Sequence, residues 1–149
     1  MESRVEQAVL TFESGYTCAQ SVFATYADLF GMDRQTALKL ASPMGGGVGR
    51  MREICGVVSA MALLAGLKEG NMDPENEEGK ERIYLLVREM ADKFKAKNNS
   101  IICRELLGIE GREESAKPSI RTKEYYASRP CSRLVADAAR IIEEMLLGE

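Results

Sequence analysis

The chain has 149 residues, 45% of them hydrophobic, and a formal charge of −3. That length supports one domain, residues 1–149, with a real core; the acidic balance, scarce aromatics and absent Trp exclude a basic, base-stacking nucleic-acid surface. No apolar run reaches a membrane span and the start, MESRVEQAV, lacks the apolar stretch of a secretory signal, so the expectation is a cytoplasmic protein that meets neither membrane nor nucleic acid.

Punctuation and period predict an all-α bundle of six or seven helices. The first runs from Val5 to Phe12 and ends near Gly15. The stretch TCAQSVFATYADLFG is a second, with Thr17 as N-cap and Gln20 at the third position of a capping box, and with Gly31 as its stop. Asp33 caps a third, through Leu40 or Ala41. Pro43 and a glycine loop follow. A fourth helix starts between Arg50 and Glu53 and ends near Leu67; its middle, CGVVSAMALLAGL, is apolar nearly all round, as a central helix should be. Its small residues suit close helix packing or a homodimer interface.

Asp73–Pro74 is expected to open the fifth and longest helix, with Glu75, Glu77 and Glu78 at its positive end and Lys93, Lys95 and Lys97 at its negative end. Ser100 caps a short sixth, IICRELLG. Residues Gly108 to Ser128 read as a long connection, mobile in part. Pro130 opens the last helix, to about Leu147, with Leu134, Val135, Ala138, Ile141, Ile142 and Met145 inward. Nothing reads as a paired strand, and there is no internal repeat.

One absence limits the chemistry. The chain contains no His, so neither a Ser-His-Asp nor a Cys-His catalytic unit can be assembled from it alone. Its four cysteines, Cys18, Cys55, Cys103 and Cys131, fall on four different predicted helices, each near a start. Free N–H groups and the helix dipole favour a thiolate there. In a reducing compartment such cysteines point to metal binding or thiol chemistry before a disulfide framework. Inert burial as small core hydrophobes is the alternative for any one of them.

The loop SPMGGGVGRMREICG places Gly45, Gly46, Gly47 and Gly49 just before Arg50 and Cys55. It lacks the Lys-Ser/Thr of a P-loop and follows no strand. Its N–H groups can still cradle an anion, a cluster or a thiolate as readily as a phosphate. Close passage of the loop against neighbouring helices is the competing reading.

These stretches, together with GYTCAQSVF, ICRELLG and CSRLVADAARIIEEML, resemble the redox-active protein family named for its C_GCAxxG_C_C cysteine pattern. The resemblance covers almost the whole chain. It implies an all-helical fold and electron or thiol redox chemistry, mostly in anaerobic prokaryotes. A similar domain occurs in split-Soret cytochromes c, but this chain has no haem-attachment motif. It departs from the family in two places. Val57 and Ala60 stand where small Ala and Gly are usual, which puts a very close backbone approach there in question. Ile109 stands where a further Cys often follows ELLG.

Two redox readings follow. In one, Cys18, Cys55, Cys103 and Cys131 ligate an iron–sulfur cluster for electron transfer, with Gly45, Gly46, Gly47, Gly49 and Arg50 around it. In the other, Cys18 or Cys55 is the attacking thiol of a thiol–disulfide oxidoreductase or redox sensor without metal. Either calls for a redox partner protein or a small thiol. A structural zinc site made by the same four cysteines ranks lower, because such sites usually bring ligands in close pairs; a helical module with inert thiols is the last alternative. Glu53, beside the loop, is a candidate supporting carboxylate.

Overall fold

Half of the helices begin where a short polar side chain bonds the first free N–H groups. The computed structural model describes residues 1–111 and 113–148. It contains α1 (Val5–Glu13), α2 (Cys18–Tyr26), α3 (Arg34–Ala41), α4 (Gly56–Glu69), α5 (Glu77–Asn98), α6 (Cys103–Leu107), α7 (Lys123–Ser128) and α8 (Cys131–Leu146). Short 3₁₀ turns follow α2, at Ala27–Phe30, and α3, at Ser42–Met44. The fold is all-α: among the described residues there is no β-strand, only an isolated antiparallel bridge between Ile54 and Ile102. None of the helices is long and apolar enough to cross a membrane.

At α2 the capping box is present in full. Thr17 Oγ1 accepts from Gln20 N–H, and Gln20 Oε1 accepts from Thr17 N–H, each at 3.1 Å. Asp33 caps α3 through Thr36 N–H at 3.0 Å. Thr122 caps α7 through Tyr125 N–H at 3.1 Å; this short helix lies inside the stretch read from sequence as connection. Gly31, at φ 90°, ends the 3₁₀ turn that tightens the end of the second helical segment.

Three helix starts differ from expectation. The fourth helix begins at Gly56, not between Arg50 and Glu53, because Arg50 and Arg52 hold φ of 62° and cannot belong to a right-handed helix. The fifth begins at Glu77. The Asp73 carboxylate accepts from Glu75 N–H at 2.9 Å and closes a separate turn around Pro74, after which Asn76 caps the helix through Gly79 N–H at 3.0 Å. At the sixth, Ile102 is the N-cap. Ser100 acts one step earlier, accepting from Ile102 N–H at 2.9 Å and donating to Glu105 at 2.6 Å.

The core gathers buried residues of α1 to α5 and α8, with α4 packed on α2, α5 and α8. Leu64, Met61, Phe94, Ile141 and Ile142 are fully enclosed; burying a side chain of this size stabilises the fold by about 1.5–3 kcal/mol. The fully buried Tyr26 hydroxyl is met inside this core. Tyr26 donates to the Glu143 carboxylate at 2.5 Å, and Arg4 N–H donates to the same oxygen at 2.7 Å. That bond ties α2 and the start of α1 to α8, and leaves the other ends of α2 and α8 to meet at the opposite pole.

Candidate functional site

The four cysteines meet at that pole, each brought by its own backbone device. Cys55 is the N-cap of α4, and Cys18, Cys103 and Cys131 are the first residues of α2, α6 and α8. The Ile54–Ile102 bridge sets two of them side by side: Cys55 N–H donates to Ile101 carbonyl at 2.8 Å, and Cys103 N–H to Glu53 carbonyl at 2.6 Å. Packing of α2 on α4 brings the third. A Cβ added to Gly56 would lie 2.8 Å from Cys18 Sγ, so only glycine lets that sulfur in. The close approach is thus made at Gly56, while Val57 and Ala60 are buried in the core.

All four side chains line one cavity of about 60 Å³. Phe12, Leu106, Leu107 and Leu134 give it apolar walls; among the described residues, Arg52, Arg121 and Arg129 are the only charged ones around it. Among the described residues no carboxylate lines it. Glu53 points elsewhere, into an ion pair with Arg104 at 3.1 Å. Arg52 donates from a terminal guanidinium nitrogen to Cys103 Sγ at 3.6 Å. Tyr125 lies between two guanidinium groups, those of Arg121 and Arg129, each 4.7 Å from its ring centroid.

The thiols are not alike. The hydrogen bond from Cys55 lowers the Cys18 pKa to about 7 despite burial, with help from Ala19 N–H and the Arg121 charge. Cys55 is pushed well above the ordinary thiol range by that same bond, by burial and by the Cys18 charge. Burial raises Cys103 against the pull of Arg52, and raises Cys131 to about 12, with Cys18 repelling its charge. The expectation that every helix start would favour a thiolate is therefore corrected to one. Once the first sulfur ionises, desolvation and its negative charge outweigh the helix termini at the other three.

The glycine loop turns through five consecutive residues, Gly46 to Arg50, with φ between 57° and 71°. Val48 is β-branched and sits in this left-handed region at 65°, which costs energy. Of the predicted loop residues only Gly46 reaches the thiol cavity. Gly47 lies beneath Cys103, where an added Cβ would come within 2.6 Å of the Cys103 Cβ. Gly45, Gly49 and Arg50 face a neighbouring cavity instead. Arg50 binds the long connection, donating to Ser115 carbonyl at 2.8 Å and to Ser119 Oγ at 3.0 Å.

Sequence reasoning missed Arg121, Tyr125 and Arg129. The even spacing of two cations about a ring was the available signal; Tyr125 lies in α7, and Arg121 and Arg129 flank that helix. Among the described residues, no three Cys, Asp or Glu side chains are grouped to hold a single metal ion.

A family model described as "Putative redox-active protein (C_GCAxxG_C_C)" matches residues 16–145. No curated protein and no solved structure matches the chain.

Proposed function

The chain belongs to the C_GCAxxG_C_C redox-active protein family, and from that premise we propose that its redox centre is the four-cysteine cavity and that Cys18, Cys55, Cys103 and Cys131 ligate an iron–sulfur cluster for electron transfer. The observation that carries this reading is the convergence of four thiols, from four separate helix starts, on one cavity that no carboxylate of the described residues lines. The donor set fits such a group. Thiolates are the usual ligands of iron–sulfur clusters, and a thiolate-ligated cluster is anionic, matching Arg52, Arg121 and Arg129 in the wall. When bound, the cluster supplies one-electron chemistry. The protein's own part is to hold four sulfurs in a water-poor pocket, to neutralise their charge with arginine, and to shield them with Phe12, Tyr125 and the leucines. A redox partner protein would exchange the electron.

The Cys18–Cys55 hydrogen bond favours a second reading, a dithiol–disulfide couple. In it the Cys18 thiolate attacks a partner disulfide, whose distal sulfur leaves as a thiolate. Cys55 gives up its proton and attacks Cys18 in the mixed disulfide. The products are a Cys18–Cys55 disulfide and a partner reduced by two electrons to its dithiol. This reading uses two of the four cysteines and leaves Cys103 and Cys131 without a role.

Purification without oxygen, followed by an absorption spectrum and by iron and sulfide analysis, tests the first reading. Expected are visible bands that bleach with dithionite, stoichiometric iron and sulfide, and loss or alteration of the cluster in each Cys→Ser variant. A protein that carries no iron and takes up no cluster on anaerobic reconstitution overturns it and leaves the dithiol couple.

A further inference from the structure

A second cavity, of about 340 Å³, lies beside the thiol cavity. Thr17, Gly46, Arg52, Arg121 and Tyr125 form walls of both. The remainder comes from the glycine loop, from Ser42–Pro43, and from Ala116, Pro118 and Ser119 of the connection. Among the described residues its charged lining is Arg50, Arg52 and Arg121, with no carboxylate.

The three arginines differ in how well they are met. Arg50 has partners in Ser115 and Ser119, and the Glu113 carboxylate at 3.9 Å. Arg121 stacks on Phe12 and Tyr125, at 5.1 and 4.7 Å, and donates from one terminal nitrogen to the Tyr126 hydroxyl at 3.4 Å, but has no ion pair among the described residues. Arg52 is only 4% exposed. It spends one terminal nitrogen on Cys103 Sγ, and its Nε–H is buried without an acceptor among the described residues. Its backbone, at φ 62°, is held in the left-handed region. A buried cation with an unmet donor is costly, and the cost is offset where an anion completes it.

We propose that this second cavity is a binding site for a small oxyanion. Guanidinium groups present planar, paired donors that match the oxygens of a carboxylate or of an inorganic oxyanion. Arg52 and Arg121 are the anchors. Ser42 and Ser119 line the same space. Because Arg52 and Arg121 also wall the thiol cavity, the bound anion lies next to the cysteines. The site stands whether those cysteines hold a cluster or act as thiols.

Isothermal titration calorimetry on the full chain, purified without oxygen, tests it. Sodium sulfate and sodium acetate are titrated separately at constant ionic strength. Expected is a saturable isotherm at one site per chain, weakened at least tenfold by Arg52→Met and by Arg121→Gln. Arg121→Gln leaves the buried Arg52 framework in place, and an unchanged circular dichroism spectrum shows that it is folded. Tighter sulfate binding assigns a tetrahedral inorganic oxyanion; tighter acetate binding assigns a carboxylate. No saturation by either anion overturns the site, as does binding that the folded Arg121→Gln variant leaves unaltered. Neither result depends on iron or sulfide content, so failure here is separable from failure of the cluster reading.

Discussion

The Cys18 and Cys55 thiols line one cavity and interact so that the proton stays on Cys55, which lowers the Cys18 pKa and raises that of Cys55. The asymmetry arises from surroundings: both side chains line the same cavity, but Cys55 is buried and Cys18 only partly so. Ala19 N–H and the Arg121 charge support the anion at Cys18, whereas Cys55 faces that anion. A lowered thiol pKa means the thiolate is present above it, so reactivity toward a neutral alkylating reagent should rise as pH passes through about 7. In reduced, metal-free protein, Cys18 should react first, and Cys131 should stay inert until strongly alkaline pH, since its own value is about 12. Cys55→Ala removes the largest cause of the lowering and should move the Cys18 midpoint upward. Iodoacetamide rates mapped to each cysteine by mass spectrometry over pH 5–10 check this. A Cys18 profile centred near the free-thiol value of about 8.5 would contradict the geometry.

Glycines separate the close approaches from the accidental ones. At Gly47, φ is 71° and an added Cβ would meet the Cys103 Cβ at 2.6 Å and Glu53 N at 2.7 Å, both held by the backbone bridge. Gly47→Ala should cost more than about 1 kcal/mol and shift the Cys103 sulfur. Gly66 lies in α4 with nothing within 4 Å of an added Cβ, and there Ala should stabilise by about 0.4–1 kcal/mol. Urea unfolding of the two variants beside the parent chain reads both signs, and equal effects at the two positions would mean that the loop does not press on Cys103.

Much of this site was legible in the sequence because local chemistry wrote it there. A Thr17–Gln20 capping box and a proline at position 130 place Cys18 and Cys131 at helix starts, and the structure keeps both. Convergence was not legible, because it depends on the Ile54–Ile102 bridge and on the Cys18–Gly56 contact, which join residues distant in the chain. The start of α4 was misplaced for a related reason. Positive φ at Arg50 and Arg52 has no signature in residue types that usually favour helix. The thiol pKa values needed burial and neighbouring charge, and local helix starts alone pointed the wrong way for three of four.

Tyr125 closes the site between Arg121 and Arg129. Tyr125→Leu removes both cation–π contacts and opens the wall, whereas Tyr125→Phe keeps the ring. Cys131, two residues from Arg129, should then alkylate several-fold faster in the Leu variant than in the Phe variant at one alkaline pH. Equal rates in the two variants would show that the ring does not shield the sulfur.

The Tyr26–Glu143 bond at the far pole predicts a pH dependence of stability that is independent of the cysteines. Burial alone would raise the Glu143 pKa, but the bonds from Tyr26 and Arg4 N–H and the Arg4 charge outweigh it and hold the carboxyl below its ordinary range. A carboxyl lowered in the folded state stabilises the fold above its unfolded pKa of about 4.3, and that contribution fades as pH falls through the folded value. Tyr26→Phe deletes one strong donor to the carboxylate, with a cost of about 1–3 kcal/mol at pH 7 for a bond to a charged group. The difference between parent and variant should shrink as pH falls below the ordinary carboxyl range and through the lowered folded value of Glu143. Urea unfolding at pH 7 and pH 3.5 measures it. A difference that stays constant with pH would assign Tyr26 a packing role alone.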